Sequence, residues 1–265
     1  MNDNFQVAVL ALIQGLTEFL PISSSAHLLL PSQLLGWPDQ GMAFDVAVHI
    51  GSLVAVISYF RKELITMTLG WLCNVCGRGR SADSDMAWLL IVATIPAGLA
   101  GLIFGEFVEA ELRSAEVIAF STLSFGLLLG AADYYSRRVM QNKKAGLVIA
   151  LAVGFAQMLA IIPGTSRSGI TMTAALFCGL NRQAAARFSF LMSIPIIAAA
   201  GFLKSIELSS GSADVDWLLL FSAGGISACA AYICIGVFVG LIDRVGFLPF
   251  VIYRLLLSFI IFYIV

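Results

Sequence analysis

Two polar clusters interrupt an otherwise apolar chain. One runs from Gln14 and Glu18 to Ser23, Ser24, Ser25 and His27, and the other is PGTSRSG at 163–169. In the second, Gly164 and Gly169 let the backbone turn tightly and approach a ligand. Thr165, Ser166 and Ser168 supply hydroxyls and helix N-cap oxygens. A helix that starts after this turn aims its unpaired N–H groups and positive dipole end at the tip, which makes an anion site. Arg167 adds a permanently charged fork suited to phosphate oxygens. Burying it between apolar segments is costly, so it either grips an anion or forms a structural salt bridge.

The first cluster carries the complementary chemistry. Gln14 and Glu18 are four residues apart and share a helix face. Glu18 falls near the C-terminal end of its helix, where the dipole disfavours a carboxylate. Arg167 or a bound divalent ion would remove that penalty, since hard cations prefer oxygen ligands. The serines are either ordinary N-caps or working hydroxyls. His27, one of two histidines, is either a satisfied hydrogen-bonder or an acid–base group. Together the clusters offer an anion cradle, a carboxylate, hydroxyls and an imidazole, which suits phosphoryl transfer from an anionic head group. Asp45 and His49 form a second acid–imidazole pair four residues apart. They either support the same cavity or hydrogen-bond along their own helix.

These residues must be positioned by elements that live in lipid. The 265 residues are 60% hydrophobic and 12% charged, where about 25% charge is usual in soluble chains. A soluble globule could not cover its surface with so few polar groups. With 24 Gly and 19 Phe and no strand-like alternation, the profile is helical rather than a β-barrel. A net charge of −1 leaves no footprint for nucleic acid. The five cysteines fall mostly in apolar runs as small fillers, and Cys73 and Cys76 form only a weak C-x-x-C signal. The N-terminus reads as a structural segment, lacking a basic region and a cleavage site.

Apolar spans are expected at 44–60, 86–105, 116–135, 186–203, 215–241 and 246–265. Basic residues cluster in 61–85, 136–144, 181–187 and 243–246, which the positive-inside rule places in the cytoplasm. The 106–116 loop, with Glu106, Glu109, Glu111 and Glu116, and the 205–216 loop, with Glu207, Asp214 and Asp216, go outside. Residues 5–36 and 145–180 do not fit this alternation, because PISSSAH and PGTSRSG interrupt them. Basic clusters flank 145–180 on both sides, so both stretches are expected to dip in and return. The fold class expected is an all-α polytopic membrane protein with six transmembrane helices and two re-entrant helix–loop–helix hairpins.

The two hairpins resemble each other. Gln14 precedes Pro21-Ile22-Ser23-Ser24-Ser25 as Gln157 precedes Pro163-Gly164-Thr165-Ser166. AFDVAVHIGSLVAV (43–56) aligns with RFSFLMSIPIIAAA (187–200) at an offset of 144, and SADSDMAWLL (81–90) echoes SADVDWLLL (212–220). One membrane domain over 1–265 is expected, with repeat 1 at about 1–136 and repeat 2 at about 145–265. An odd number of crossings inverts the second copy, and broken helices of inverted repeats usually meet near the midplane.

QGLTEFLPISSSAH (14–27) with PGTSRSG (163–169), RFSFLMSIP (187–195) and FLPFVIYR (247–254) resembles the undecaprenyl-diphosphate phosphatases of the bacitracin-resistance family. The resemblance covers essentially the whole chain. It implies hydrolysis of the terminal phosphate of a long isoprenyl diphosphate, which recycles the carrier lipid for cell-wall synthesis. It further implies a divalent cation, Mg²⁺ or Ca²⁺, and a bacterial inner-membrane location with the site facing outward. The partners implied are the isoprenyl diphosphate and membrane lipid, with a homodimer as a further candidate. Carried over by residue, Gln14 and Glu18 hold the metal, Ser24 and His27 are catalytic with Glu18, and Arg167 grips the diphosphate. Gly164, Thr165, Ser166, Ser168, Gly169 and Ser23 complete the substrate cradle. Two departures stand out: Gln14 where many members have glutamate, and Ser25-Ala26 where many have Thr-Gly. The rival readings are a lipid-phosphate flippase using the same anion cradle and a structural scaffold.

Overall fold

In lipid a backbone must satisfy its own amides, and helices do this within one segment. The computed structural model describes residues 3–38, 40–138, 143–209 and 216–264, and all regular structure among them is helical. In chain order the helices are α1 (Asp3–Thr17), α2 (Ser24–Leu35), α3 (Gly41–Tyr59), α4 (Arg61–Val75), α5 (Ala82–Glu111) and α6 (Ala115–Ser136). They continue with α7 (Leu147–Met158), α8 (Arg167–Phe177), α9 (Arg182–Ser209), α10 (Trp217–Val245) and α11 (Leu248–Ile264). By length and composition, α3, α5, α6, α9 and α10 can cross a membrane, and they coincide with five of the expected spans. The sixth, α11, has 17 residues. Asp214 and the start of the 212–220 echo lie outside the described residues, as do the side chains of Glu109 and Glu207.

The polar clusters break their stretches where expected. α1 ends at Thr17 and α2 begins at Ser24; α7 passes through a 3-10 turn, Leu159–Ile161, and α8 begins at Arg167. The 61–85 connection differs from expectation, because α4 occupies its first part. Its sequence alternates charged, polar and apolar residues without a long run, so hydropathy alone did not separate it from a loop. Gly70 and the Trp71–Trp88 ring contact, 5.8 Å between centroids, pack it against the start of α5.

The core is a stack of aromatic rings that reaches the first cluster. Phe19, next to Glu18, meets Phe190 of α9 edge-on at 5.5 Å, and Phe190 continues to Phe60 and Phe238 at 6.4 and 5.6 Å. The outer faces carry exposed Ile95, Leu99, Leu102, Phe221, Ile233 and Phe259, as lipid-facing helices should. One helix pair is held at backbone contact: a Cβ on Gly51 of α3 would lie 2.2 Å from the carbonyl oxygen of Gly224 on α10. Beside it, Ser52 and Ser227 hydrogen-bond across the seam at 3.1 Å.

A polar knot closes one end of the molecule. Asp133 of α6 is buried and accepts from Arg137 at 2.7 Å and from Arg182 at 2.7 and 2.8 Å. Arg137 precedes the α7–α8 unit and Arg182 follows it, so both ends of that unit converge on one carboxylate. Lys143 also packs against Gly179 across the same two ends.

Gly51→Ala forces a methyl group into a backbone carbonyl. Overpacking of this kind costs about 1–3 kcal/mol, so the variant should melt earlier in detergent than the parent protein. An unchanged melting temperature would show that the α3–α10 contact yields freely.

Candidate active site

The broken helices bring their tips together. Glu18, just past the end of α1, pairs with Arg167 at the start of α8 at 3.0 Å. Both side chains are largely buried, 8% and 16% exposed. The carboxylate has three partners: Oε1 faces Arg167, and Oε2 accepts from Gln14 Nε2 at 2.9 Å and Ser24 Oγ at 3.0 Å. Ser24 therefore aims its proton at Glu18 and leaves its oxygen lone pairs for another group.

Gln14 is set in turn by His49. A carbonyl oxygen only accepts, so His49 Nδ1, 2.7 Å from the carbonyl oxygen of Asp45, carries the proton. His49 Nε2 then accepts from Gln14 Nε2 at 3.3 Å. Both amide protons of Gln14 are used, and its buried Oε1 has no hydrogen-bond partner among the described residues. Of the two readings for His49, the structure shows both: a bond along its own helix through a backbone carbonyl, and a reach into the tips.

The serines divide their work. Ser23 is the N-cap residue of α2 but makes no side-chain cap bond, whereas Ser166 caps α8 by accepting from Gly169 N at 3.1 Å. Both stand at positive φ, 71° and 67°, a region L side chains rarely occupy. Ser25 accepts from Gly164 N at 3.2 Å, and Ser168 donates to the Leu20 carbonyl at 2.8 Å, so each tip is sewn to the other. The amides of Gly164 and Gly169, expected to face a phosphate, are thus spent on Ser25 and Ser166. Thr165 Oγ1 is buried and unpartnered among the described residues. Gly164 is required by close approach, since a Cβ there would fall 2.4 Å from the Ile118 carbonyl oxygen.

His27 sits beside this group rather than within it. Its Nδ1 meets the Ser23 carbonyl oxygen at 2.7 Å and its Nε2 meets the Tyr253 hydroxyl at 2.7 Å, with no bond to Ser24 or Glu18. Three further contributors were not picked out from sequence. Arg254 of α11, fully buried, donates to Gly164 and Thr165 carbonyls at 3.0 and 2.9 Å, to Pro21 at 3.4 Å and to Thr122 at 3.2 Å. Ser121 and Thr122 of α6 donate to the carbonyls of Pro163 and Gly164. An arginine inside FLPFVIYRLLLSF was signal enough, because a charge in an apolar stretch is functional by default. Small hydroxyls in a span carry no comparable mark.

A cavity of about 560 Å³ opens from the tips, lined by Ser25, Asp45, His49 and Pro163 and by Arg113 and Lys204. A larger one, about 650 Å³, lies among Arg61, Lys62, Glu63 and Arg187 and includes no tip residue. The tip cavity is the one beside the chemistry. Cys73 and Cys76 are free and exposed, and no group of three or more His, Cys, Asp or Glu residues placed to hold a metal occurs among the described residues.

The family model for bacitracin resistance protein BacA matches residues 7–260. The chain belongs to the BacA family. It is 56% identical to an undecaprenyl-diphosphatase of Teredinibacter turnerae over 98% of both chains. A Hahella chejuensis undecaprenyl-diphosphatase is 55% identical over 96% of this chain and 95% of the relative. Undecaprenyl-diphosphatase 2 of Stutzerimonas stutzeri is 54% identical over 97% and 96%. The match to the BacA model spans both tips together with Tyr253 and Arg254.

Arg254→Lys keeps the charge but cannot reach carbonyls in several directions at once. Each bond to a charged donor contributes about 1.5–3 kcal/mol, so thermal unfolding in detergent should move down by the equivalent of at least one. A variant as stable as the parent would show that the tips hold without this arginine.

Proposed function

We propose that this chain is a membrane phosphatase that hydrolyses undecaprenyl diphosphate to undecaprenyl phosphate and inorganic phosphate. The reaction recycles the carrier lipid for cell-wall synthesis and underlies bacitracin resistance. The observation that carries the mechanism is the meeting of Arg167, Glu18 and Ser24 at the joined tips. Arg167 holds the diphosphate, exchanging part of its contact with Glu18 for phosphate oxygens. Thr165, Ser166 and Ser168, with Ser23 and the positive end of α8, complete the cradle, within which Gly164 and Gly169 shape the backbone. Glu18 fixes Ser24, whose oxygen faces the phosphorus either as nucleophile or as an orienting hydroxyl. His27 serves as acid–base group.

Gln14 and Glu18 fit a divalent ion, Mg²⁺ or Ca²⁺, as a two-ligand site. The orphaned Gln14 Oε1 is an unused oxygen ligand on the side chain whose amide nitrogen bonds Glu18. One carboxylate and one neutral amide are few, so the substrate's own phosphates would complete the set. When bound, such an ion neutralises charge that develops on the phosphoryl oxygens.

The proposed topology has six crossings, with α1–α2 and α7–α8 as re-entrant hairpins of an inverted repeat in the inner membrane. The Asp133 knot supports re-entry of α7–α8, because it gathers both of that unit's ends. The paired strained serines, Ser23 and Ser166, support the repeat. So does close packing of Gly15 in α1 on α10 and Gly154 in α7 on α5. Arg113 and Lys204 at the tip cavity adjoin the acidic loops, which supports an outward opening. A flippase reading is not favoured, since transport alone needs no acid–base group.

The test is phosphate release from undecaprenyl diphosphate by the purified protein in detergent, with a titration of Mg²⁺ and Ca²⁺. No release at any metal concentration would remove the phosphatase reading. Arg167→Ala should lower kcat/KM by about 10²–10³-fold, as loss of a preorganised charge contact does. His27→Gln should lower kcat by about 10²–10⁴-fold. A folded Ser24→Ala that keeps near-normal hydrolysis assigns the attack to water, whereas its inactivity together with a trapped phosphoenzyme in the parent protein assigns it to Ser24.

A further inference from the structure

His27 is held at both ring nitrogens. Its Nδ1 is 2.7 Å from the Ser23 carbonyl oxygen, which can only accept, so Nδ1 carries the proton. In the neutral ring Nε2 is then a lone pair, and the group 2.7 Å away that donates to it is the Tyr253 hydroxyl. The one basic atom of His27 is already covered by a phenol. The two rings are parallel to within 2°, with centroids 5.4 Å apart.

This cover is fixed to the site. The next residue, Arg254, is fully buried and bonded to carbonyls of both tips. α11 cannot withdraw Tyr253 from His27 without breaking those bonds. A base whose lone pair is covered either waits for the cover to leave or works through it, and the anchoring by Arg254 argues for the second. Tyr253 is itself 43% exposed, so the phenol is not sealed inside the protein.

We propose that Tyr253 relays the proton between the hydrolytic water and His27. The proposal rests on the reading of His27 as the acid–base group. A phenol hydroxyl both donates and accepts. As the water oxygen bonds to phosphorus, the water proton passes to the Tyr253 oxygen and the Tyr253 proton passes to His27 Nε2. The bond from phosphorus to the departing oxygen breaks. The imidazolium then returns its proton through the phenol to that oxygen, so His27 and Tyr253 end as they began. Tyr253 is never left as a phenolate, and its weak acidity is no obstacle. The scheme holds whether water attacks the diphosphate directly or hydrolyses a phosphorylated Ser24.

Tyr253→Phe tests it, since phenylalanine keeps the ring and removes only the hydroxyl. With undecaprenyl diphosphate in detergent, kcat should fall by about 10²-fold, the lower end of acid–base contributions, while KM and the melting temperature stay close to the parent values. In the unmodified enzyme, kcat across mixtures of H₂O and D₂O should follow a bowed curve, as two protons move together. A straight line would overturn the relay, and so would Tyr253→Phe with normal or raised kcat, which would make the phenol a mere cover. The two readings separate cleanly. An active His27→Gln sinks the role of His27, whereas an inactive His27→Gln beside a fully active Tyr253→Phe sinks the relay alone.

Discussion

The ion pair between Arg167 and Glu18 is the interaction on which the arrangement depends. Each ion costs several kcal/mol to remove from water, and only its partner and the surrounding hydrogen bonds offset that cost. The two residues lie 149 positions apart, so neither cluster can be buried alone. Folding must bring the tips together before either charge can stay at depth. The backbone contact of α3 with α10 and the ring stack from Phe19 to Phe238 build the frame that permits this meeting.

The turns themselves set a second demand. Irregular backbone inside an apolar molecule exposes carbonyls and amides that helices would otherwise satisfy. Here the missing partners come from side chains of other elements. Arg254 serves Pro21, Gly164 and Thr165, Ser121 and Thr122 serve Pro163 and Gly164, and Ser25 and Ser168 bridge the tips. The same bonds that make the turns tolerable also fix the spacing between Glu18, Ser24 and Arg167. Support of the backbone and definition of the site are one set of contacts.

Hydropathy located five helices long and apolar enough to cross a membrane, and PISSSAH and PGTSRSG marked both breaks, because those signals are local. PGTSRSG and the Gln14–Glu18 spacing marked the residues that meet, since buried charge in an apolar chain has few uses. The partnerships were not legible. Ser24 aims at Glu18 rather than His27, and His49 sets Gln14, because packing of α1 on α3 and the meeting of the two tips, distant in sequence, decide these directions. Asp133 falls inside the expected span at 116–135 and carries no local mark of its role, although it accepts from both arginines that flank α7–α8. α4 stayed hidden because its helix is held by contacts with α5 rather than by a pattern of its own.

Ser23 gives a different perspective on how such a site persists. Its φ of 71° would suit glycine, and its hydroxyl does not cap α2. Glycine there would relax a backbone strain of about 1–3 kcal/mol. Yet the strained carbonyl of Ser23 holds His27, and its hydroxyl meets Ser25 at 3.1 Å. Added freedom at this residue would loosen the carbonyl that orients the imidazole. Stability and chemistry pull in opposite directions at this position, so a sequence optimised purely for robustness would drift away from serine, and away from the reaction.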